Sequence, residues 1–236
     1  MVRFKSYDGL EVPGILYKPH GVSADAKAPA LVWVHGGVHG NWTPSYLPFI
    51  KEAVAKGYVI VAPEYRGSTG YGAEHYNAID YGGKEVDDVL SAYDFLKTLP
   101  YVDTTRVGAM GWSHGGFIVN HLLFRGTTPF KAGAAMVPVT NLIFRLSYKG
   151  PGYQRSFSTQ KEVLGLPFEL REEYVKRSPY YGVDSLRTPL LVHVATNDTD
   201  VNFEEARPLV DALIARKPEL SETKIYVDPP VGHAGG

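Results

Sequence analysis

"VGAMGWSHGGFIVNHLL", residues 107–123, sets a serine between two glycine-bearing turns, with an apolar β-like run before it and a helix-like run after it. A serine at such a corner has two readings. It either caps a helix N-terminus or is lifted out of the strand to do chemistry. Gly111-Trp112-Ser113-His114-Gly115 fits the G-x-S-x-G elbow between a strand and a helix. The backbone at such a nucleophile is strained, and larger flanking side chains would collide. The turn raises the hydroxyl above the sheet, and the next helix aims its N-terminal dipole and N–H groups at the same spot. Five residues match by chance often; the strand–turn–helix setting gives them weight.

Outward from the elbow, β-like and helix-like segments alternate. "APALVWVHGG" (28–37), "GYVIVAPEYRG" (57–67), "KAGAAMVPV" (131–139), "TPLLVHVATND" (188–198) and "TKIYVDPPVGH" (223–233) are short and apolar on both faces, as buried parallel strands are. "PFIKEAVAKG", "GKEVDDVLSAYDFLKTL" and "NFEEARPLVDALIARK" repeat apolar residues at spacings of three and four. The pattern predicts an α/β domain, a mostly parallel sheet with helices on both faces. The opening "RFKSYDGLEVPGILYKP" reads as an antiparallel edge hairpin turning at Asp8-Gly9. Residues 141–181, rich in Tyr, Phe and Arg, are more chain than a crossover needs and predict a lid-like insertion, with a pair of surface helices as the alternative.

The bulk numbers are those of one globular domain spanning residues 1–236. Twenty-four basic residues face 25 acidic ones, so neither nucleic acid nor an anionic membrane surface is an expected partner. With no cysteine, disulfides and thiolate metal sites are excluded. The start has no signal-peptide core, and no apolar run approaches the roughly 18 residues that span a bilayer; a cytoplasmic location is expected.

A serine nucleophile needs a base, an acid to orient that base, and donors for the oxyanion. Asp198 and Asp200 follow one late strand, and His233 follows the last, in the chain order serine, acid, histidine. The spacing Asp-x-x-Val before a helix favours Asp198 over Asp200. "VHGGVHG" offers a second oxyanion donor near Gly37. Taken together, "DGLEVPGILYKP", "LVWVHGG", "APEYRGSTGYG", "GWSHGGF", "LLVHVATNDTDV" and "GHAGG" resemble the catalytic domain of the prolyl oligopeptidase family of serine hydrolases, which includes acylaminoacyl and dipeptidyl peptidases. The resemblance implies an α/β-hydrolase fold, with Ser113 as nucleophile, Asp198 as orienting acid and His233 as base. It also implies oxyanion donors on His114 and in the Gly36-Gly37-Val38 loop, and no cofactor. The family's N-terminal propeller is not expected in this chain.

Phe144, Tyr148, Tyr153 and Phe157, with Trp42, are expected to form a mostly apolar wall for the acyl or leaving group, Val38 to contact substrate, and Tyr65 either to contact substrate or to brace the loop beside the site. His35 and His39 lie in a glycine loop without an evident third ligand, so no metal is expected. Asp87 and Asp88 are expected on a solvated helix face, and Arg145 and Arg155 on the surface. The expected reaction is hydrolysis of a small-molecule ester or a peptide, with esters favoured. A peptidase is the alternative, and a non-catalytic ligand-binding protein is a third reading; a homo-oligomer is compatible with all three.

Overall fold

A computed structural model describes residues 1–160 and 162–234. The apolar runs form β3 (Ala28–Val34), β4 (Val59–Pro63), β5 (Val102–Trp112), β6 (Gly133–Met136), β7 (Leu190–Ala195) and β8 (Ser221–Tyr226). The opening hairpin is β1 (Val2–Lys5) and β2 (Glu11–Tyr17), and Gly9 takes the positive φ of 87° that its turn requires. The eight strands form one sheet in the order β1-β2-β4-β3-β5-β6-β7-β8. β1 and β2 are antiparallel, β2 meets β4 antiparallel, and every other pairing is parallel. This is the α/β-hydrolase architecture.

The chain steps from β3 outward to β4, then crosses back over β3 to β5. The loops after β3 and β5 therefore diverge from neighbouring strands, with Val34 paired to Gly111, and open a crevice at the strands' C-terminal ends.

Alternation along the strands sorts the core into two layers. Val32, Val34, Val107 and Ala109 face α3 (Lys84–Lys97), α4 (His114–Leu123) and, farther along, α8 (Phe203–Arg216). Trp33, Ile60 and Ala62 face the other way, onto Ile50 and Ala53 of α1 (Leu47–Ala55). Beyond α1 that second face carries an open groove of about 520 Å³, lined by Trp33, Phe49, Met110, Met136 and Leu191 among others.

Between β6 and β7 the 141–181 segment is helical: α5 (Leu142–Tyr148), α6 (Pro151–Ser158) and α7 (Arg171–Lys176), followed by a 3₁₀ stretch, Pro179–Ser185. Asn141 caps α5, its side chain accepting the N–H groups of Ile143 and Phe144. A short α2 (Ala73–Asn77) completes the set.

One expected surface is a core. Asp87 stays on the exposed face of α3, but its neighbour Asp88 is fully buried and grips Arg66, correcting the expectation that both are solvated. Adjacent helix positions point about 100° apart, so one of two consecutive acids can turn inward when a partner waits there. Arg66, just past β4, is that partner.

Candidate active site

The elbow is built by close backbone approach. Ser113 sits between the end of β5 and the start of α4 at φ 55°, ψ −113°, a conformation that non-glycine residues adopt only under constraint. Its side chain makes no capping bond to the helix, and its N–H donates to the Met136 carbonyl at 2.8 Å. A Cβ at Gly115 would lie 2.0 Å from the Val34 carbonyl oxygen, and one at Gly111 would lie 2.2 Å from the Gly115 backbone. Only glycine lets β3, β5 and α4 converge there, which is the physical reason for the motif's spacing.

Ser113 Oγ lies 3.0 Å from His233 Nε2, and His233 Nδ1 lies 2.8 Å from Asp198 Oδ2. The partners assign the tautomer: Nδ1 donates to the carboxylate, which leaves the Nε2 lone pair to accept the serine proton. The other carboxylate oxygen of Asp198 accepts the N–H groups of Asp200 and Val201, both at 2.9 Å. Asp198 is buried and fixed on both oxygens, and the Trp112 indole N–H donates to the His233 carbonyl at 3.2 Å. Asp200 is also present. Its Oδ1 receives Lys149 Nζ at 2.7 Å and Arg145 Nη2 at 3.2 Å, while its Oδ2 stands 3.4 Å from His233 Nε2.

The glycine loop after β3 closes on the serine. A Cβ at Gly36 would lie 3.3 Å from that of Ser113. The loop is held from beneath: Gly36 N–H donates to the Tyr46 hydroxyl at 3.2 Å, and the Tyr65 hydroxyl lies 3.0 Å from the carbonyls of both His35 and Gly37. Glu64 Oε1 accepts the Trp42 N–H at 2.8 Å, and burial pushes this carboxyl up to about 7. Among the described residues the N–H groups of Gly37 and His114 donate to no protein acceptor.

The His114 side chain is buried between the rings of Tyr81 and Phe117, and burial pulls its imidazole down to about 3. His35 and His39 are turned to different partners, the Ser68 hydroxyl and the Gly67 carbonyl.

The expected substrate wall is only partly assembled. Phe144 is exposed, and Val38 is half-buried in the glycine loop. Two residues are corrected outright: Phe157 is buried in the core against Tyr81 and Tyr174, and Trp42 packs on Tyr17 in the α1-side core. Of the two roles open to Tyr65, full burial beneath the loop fits the brace. Arg145, expected at the surface, is buried. It binds Tyr153 Oη at 3.0 Å, Tyr148 Oη at 3.1 Å, Glu205 and Asp200, so Tyr148 and Tyr153 turn their hydroxyls to this cluster instead of offering free apolar walls. Sequence reading misses Tyr46, Glu205 and the second face of Asp200. Each acts across more than 30 residues or through a loop whose path no local pattern sets.

Residues 44–236 match the Prolyl oligopeptidase family. An uncharacterized peptidase of Bacillus subtilis, YuxL, is 34% identical over 235 residues, covering 98% of this chain and 35% of that protein. The human acylamino-acid-releasing enzyme is 28% identical over 216 residues, 89% of this chain and 29% of its own length. The uncomplexed acylaminoacyl peptidase of Pyrococcus horikoshii superposes with a TM-score of 0.80 at 27% identity, covering 98% of this chain and 37% of that one. The chain thus spans about a third of the length of the relatives it matches. A family match over most of the chain, together with the elbow and the hydrolase sheet, places it: the chain belongs to the prolyl oligopeptidase family.

Proposed function

We propose that the chain carries the chemistry of a serine peptidase acting through an acyl-enzyme. The observation behind this reading is the continuous relay Ser113 Oγ–His233 Nε2, 3.0 Å, and His233 Nδ1–Asp198 Oδ2, 2.8 Å. His233 Nε2 takes the Ser113 proton as Oγ attacks the scissile carbonyl carbon. Asp198 holds the imidazole in its tautomer and stabilises the imidazolium that forms. The carbonyl oxygen becomes an oxyanion received by the N–H groups of His114 and Gly37. Nε2–H then passes its proton to the leaving nitrogen, the C–N bond breaks, and water repeats the sequence on the acyl-serine. These steps call on protein groups and water alone.

Sequence reading put esters ahead of peptides. The likeness to a peptidase and to an acylamino-acid-releasing enzyme supports the reverse order, and a peptide substrate with a blocked or free N-terminal residue is the proposed class. Amide cleavage asks more of the histidine, because it must protonate nitrogen at a well-held angle, and an error of about 1 Å costs roughly 10²-fold. His233 is held at three atoms, by Ser113, Asp198 and Trp112.

The test is a matched pair, the same aminoacyl group as ester and as anilide. Values of kcat/KM within about tenfold support the peptidase, whereas an ester excess of two orders of magnitude, about 2.7 kcal/mol, restores the esterase. Independently, a fluorophosphonate adds one covalent group to the parent chain and none to Ser113→Ala. Labelling that persists in the variant removes Ser113 from the mechanism.

A further inference from the structure

The catalytic imidazole has two carboxylates within reach. Asp198 meets Nδ1 at 2.8 Å. Asp200 Oδ2 stands 3.4 Å from Nε2, the nitrogen that also lies 3.0 Å from Ser113 Oγ. Nothing in a serine–histidine–aspartate relay needs an acid on that side. A carboxylate there has two opposed effects. It stabilises positive charge on the ring, and it competes with the leaving group for the Nε2 proton.

What decides between them is the state of Asp200, and that is set from the inserted helices. Lys149, at the C-terminal end of α5, reaches Asp200 Oδ1 at 2.7 Å, and Arg145 in α5 reaches it at 3.2 Å. Arg145 is itself divided between Asp200 and the buried Glu205 of α8, with the hydroxyls of Tyr148 and Tyr153 filling its remaining donors. Tyr148 also donates to Glu205, and Tyr153 lies beside the Tyr81 hydroxyl. Burial alone would raise the Asp200 carboxyl. Lys149 and Arg145, joined by His233 when its ring is charged, outweigh it and hold the group below its ordinary value.

We propose that Asp200 is a positioning residue for His233, a second carboxylate whose pull on Nε2 is restrained by Lys149 and Arg145, so that the seating of α5 sets how readily the histidine accepts and releases its proton. With the two cations in place, Asp200 is largely neutralised and Nε2 is free for Ser113. When they are lost, the carboxylate faces the ring unopposed, holds the proton on Nε2 and keeps the base from working until a higher pH. The charged and titratable groups around this ring are Asp198 on Nδ1 and Asp200 on Nε2, both from the β7–α8 loop, with Lys149 and Arg145 from the insertion on Asp200 and Glu205 and Tyr148 behind Arg145. The inference rests on Ser113 and His233 acting as proposed above.

The experiment is the pH dependence of the fluorophosphonate labelling rate, read by intact mass, in four chains: the parent, Asp200→Asn, Lys149→Met and the double variant. Labelling requires the neutral histidine, so its acidic limb reports the proton on Nε2 without reference to any substrate. Asp200→Asn moves the limb toward lower pH by about one unit, equivalent to tenfold in the protonation equilibrium. Lys149→Met moves it up by about half a unit. In the double variant the Lys149 effect vanishes, because its route through Asp200 is gone. An Asp200→Asn limb that coincides with the parent's overturns the proposal. So does a Lys149 shift of undiminished size in the Asp200→Asn background, which makes Lys149 a direct through-space influence. A parent chain that never labels overturns the nucleophile reading and this inference with it.

Discussion

Two acids near the serine behave oppositely because their neighbours do. Asp198 is bonded on both oxygens, so Asp198→Asn keeps the shape and loses the tautomer; turnover of the best substrate should fall about 10⁴-fold with little change in melting temperature. Glu64 is the contrast. One oxygen accepts the Trp42 N–H, the other is buried with no partner among the described residues, and burial lifts its carboxyl from 4.5 to about 7. The folded chain therefore binds this proton more tightly than the unfolded one, and stability falls as pH rises between those two values. Glu64→Gln keeps the acceptor for Trp42 and removes the charge. It should leave urea unfolding nearly unchanged at pH 4 and stabilise the chain at pH 8 by on the order of 3 kcal/mol. Equal effects at the two pH values would show that the gain comes from packing, not ionisation.

Element contacts explain which parts of the site were readable. The elbow was legible because strand, serine, glycines and helix are contiguous, so one local pattern carries the whole geometry. The insertion was not. Its helices are short, and 3.6-residue periodicity over seven or eight residues does not say which aromatic faces inward; Phe157 went to the core and Phe144 to the surface. The Arg66 junction was illegible for a different reason, since it joins three elements. Its guanidinium binds Asp88 of α3 at 2.8 and 2.9 Å and Asp8 of the hairpin turn at 2.8 Å through two nitrogens. Asp88→Asn strips the buried side of this junction and should cost about 3–5 kcal/mol, whereas Asp8→Asn, on the half-exposed side, should cost under about 1 kcal/mol. The Arg66 hydrogen bonds hold the Asp8 carboxyl down at about 2, so its contribution is complete above the ordinary carboxylate range and disappears as pH falls through that value. Chemical unfolding of both variants checks the ranking, and a larger loss from Asp8→Asn would reverse the roles given to the two acids.

Across the molecule, fold class and reacting groups were written in the order of segments, while the support around them depended on distant pairs. A parallel sheet puts all its loops of one kind at one end, so Ser113 after β5, Asp198 after β7 and His233 after β8 lie at the same edge of the sheet. No such rule places Tyr46 under Gly36, or Arg145 between Asp200 and Glu205. The meeting itself is long-range. His233 reaches Ser113 across 120 residues and Asp198 across 35. A ribosome releases the serine, its elbow and the glycine loop well before the histidine, at about 5–20 residues per second. For those seconds the nascent chain can hold a formed elbow whose serine has no histidine beside it. The contacts among Ser113, His233 and Asp198 close only when the segment after β8 docks beside Trp112, so they complete after β8 has joined the sheet.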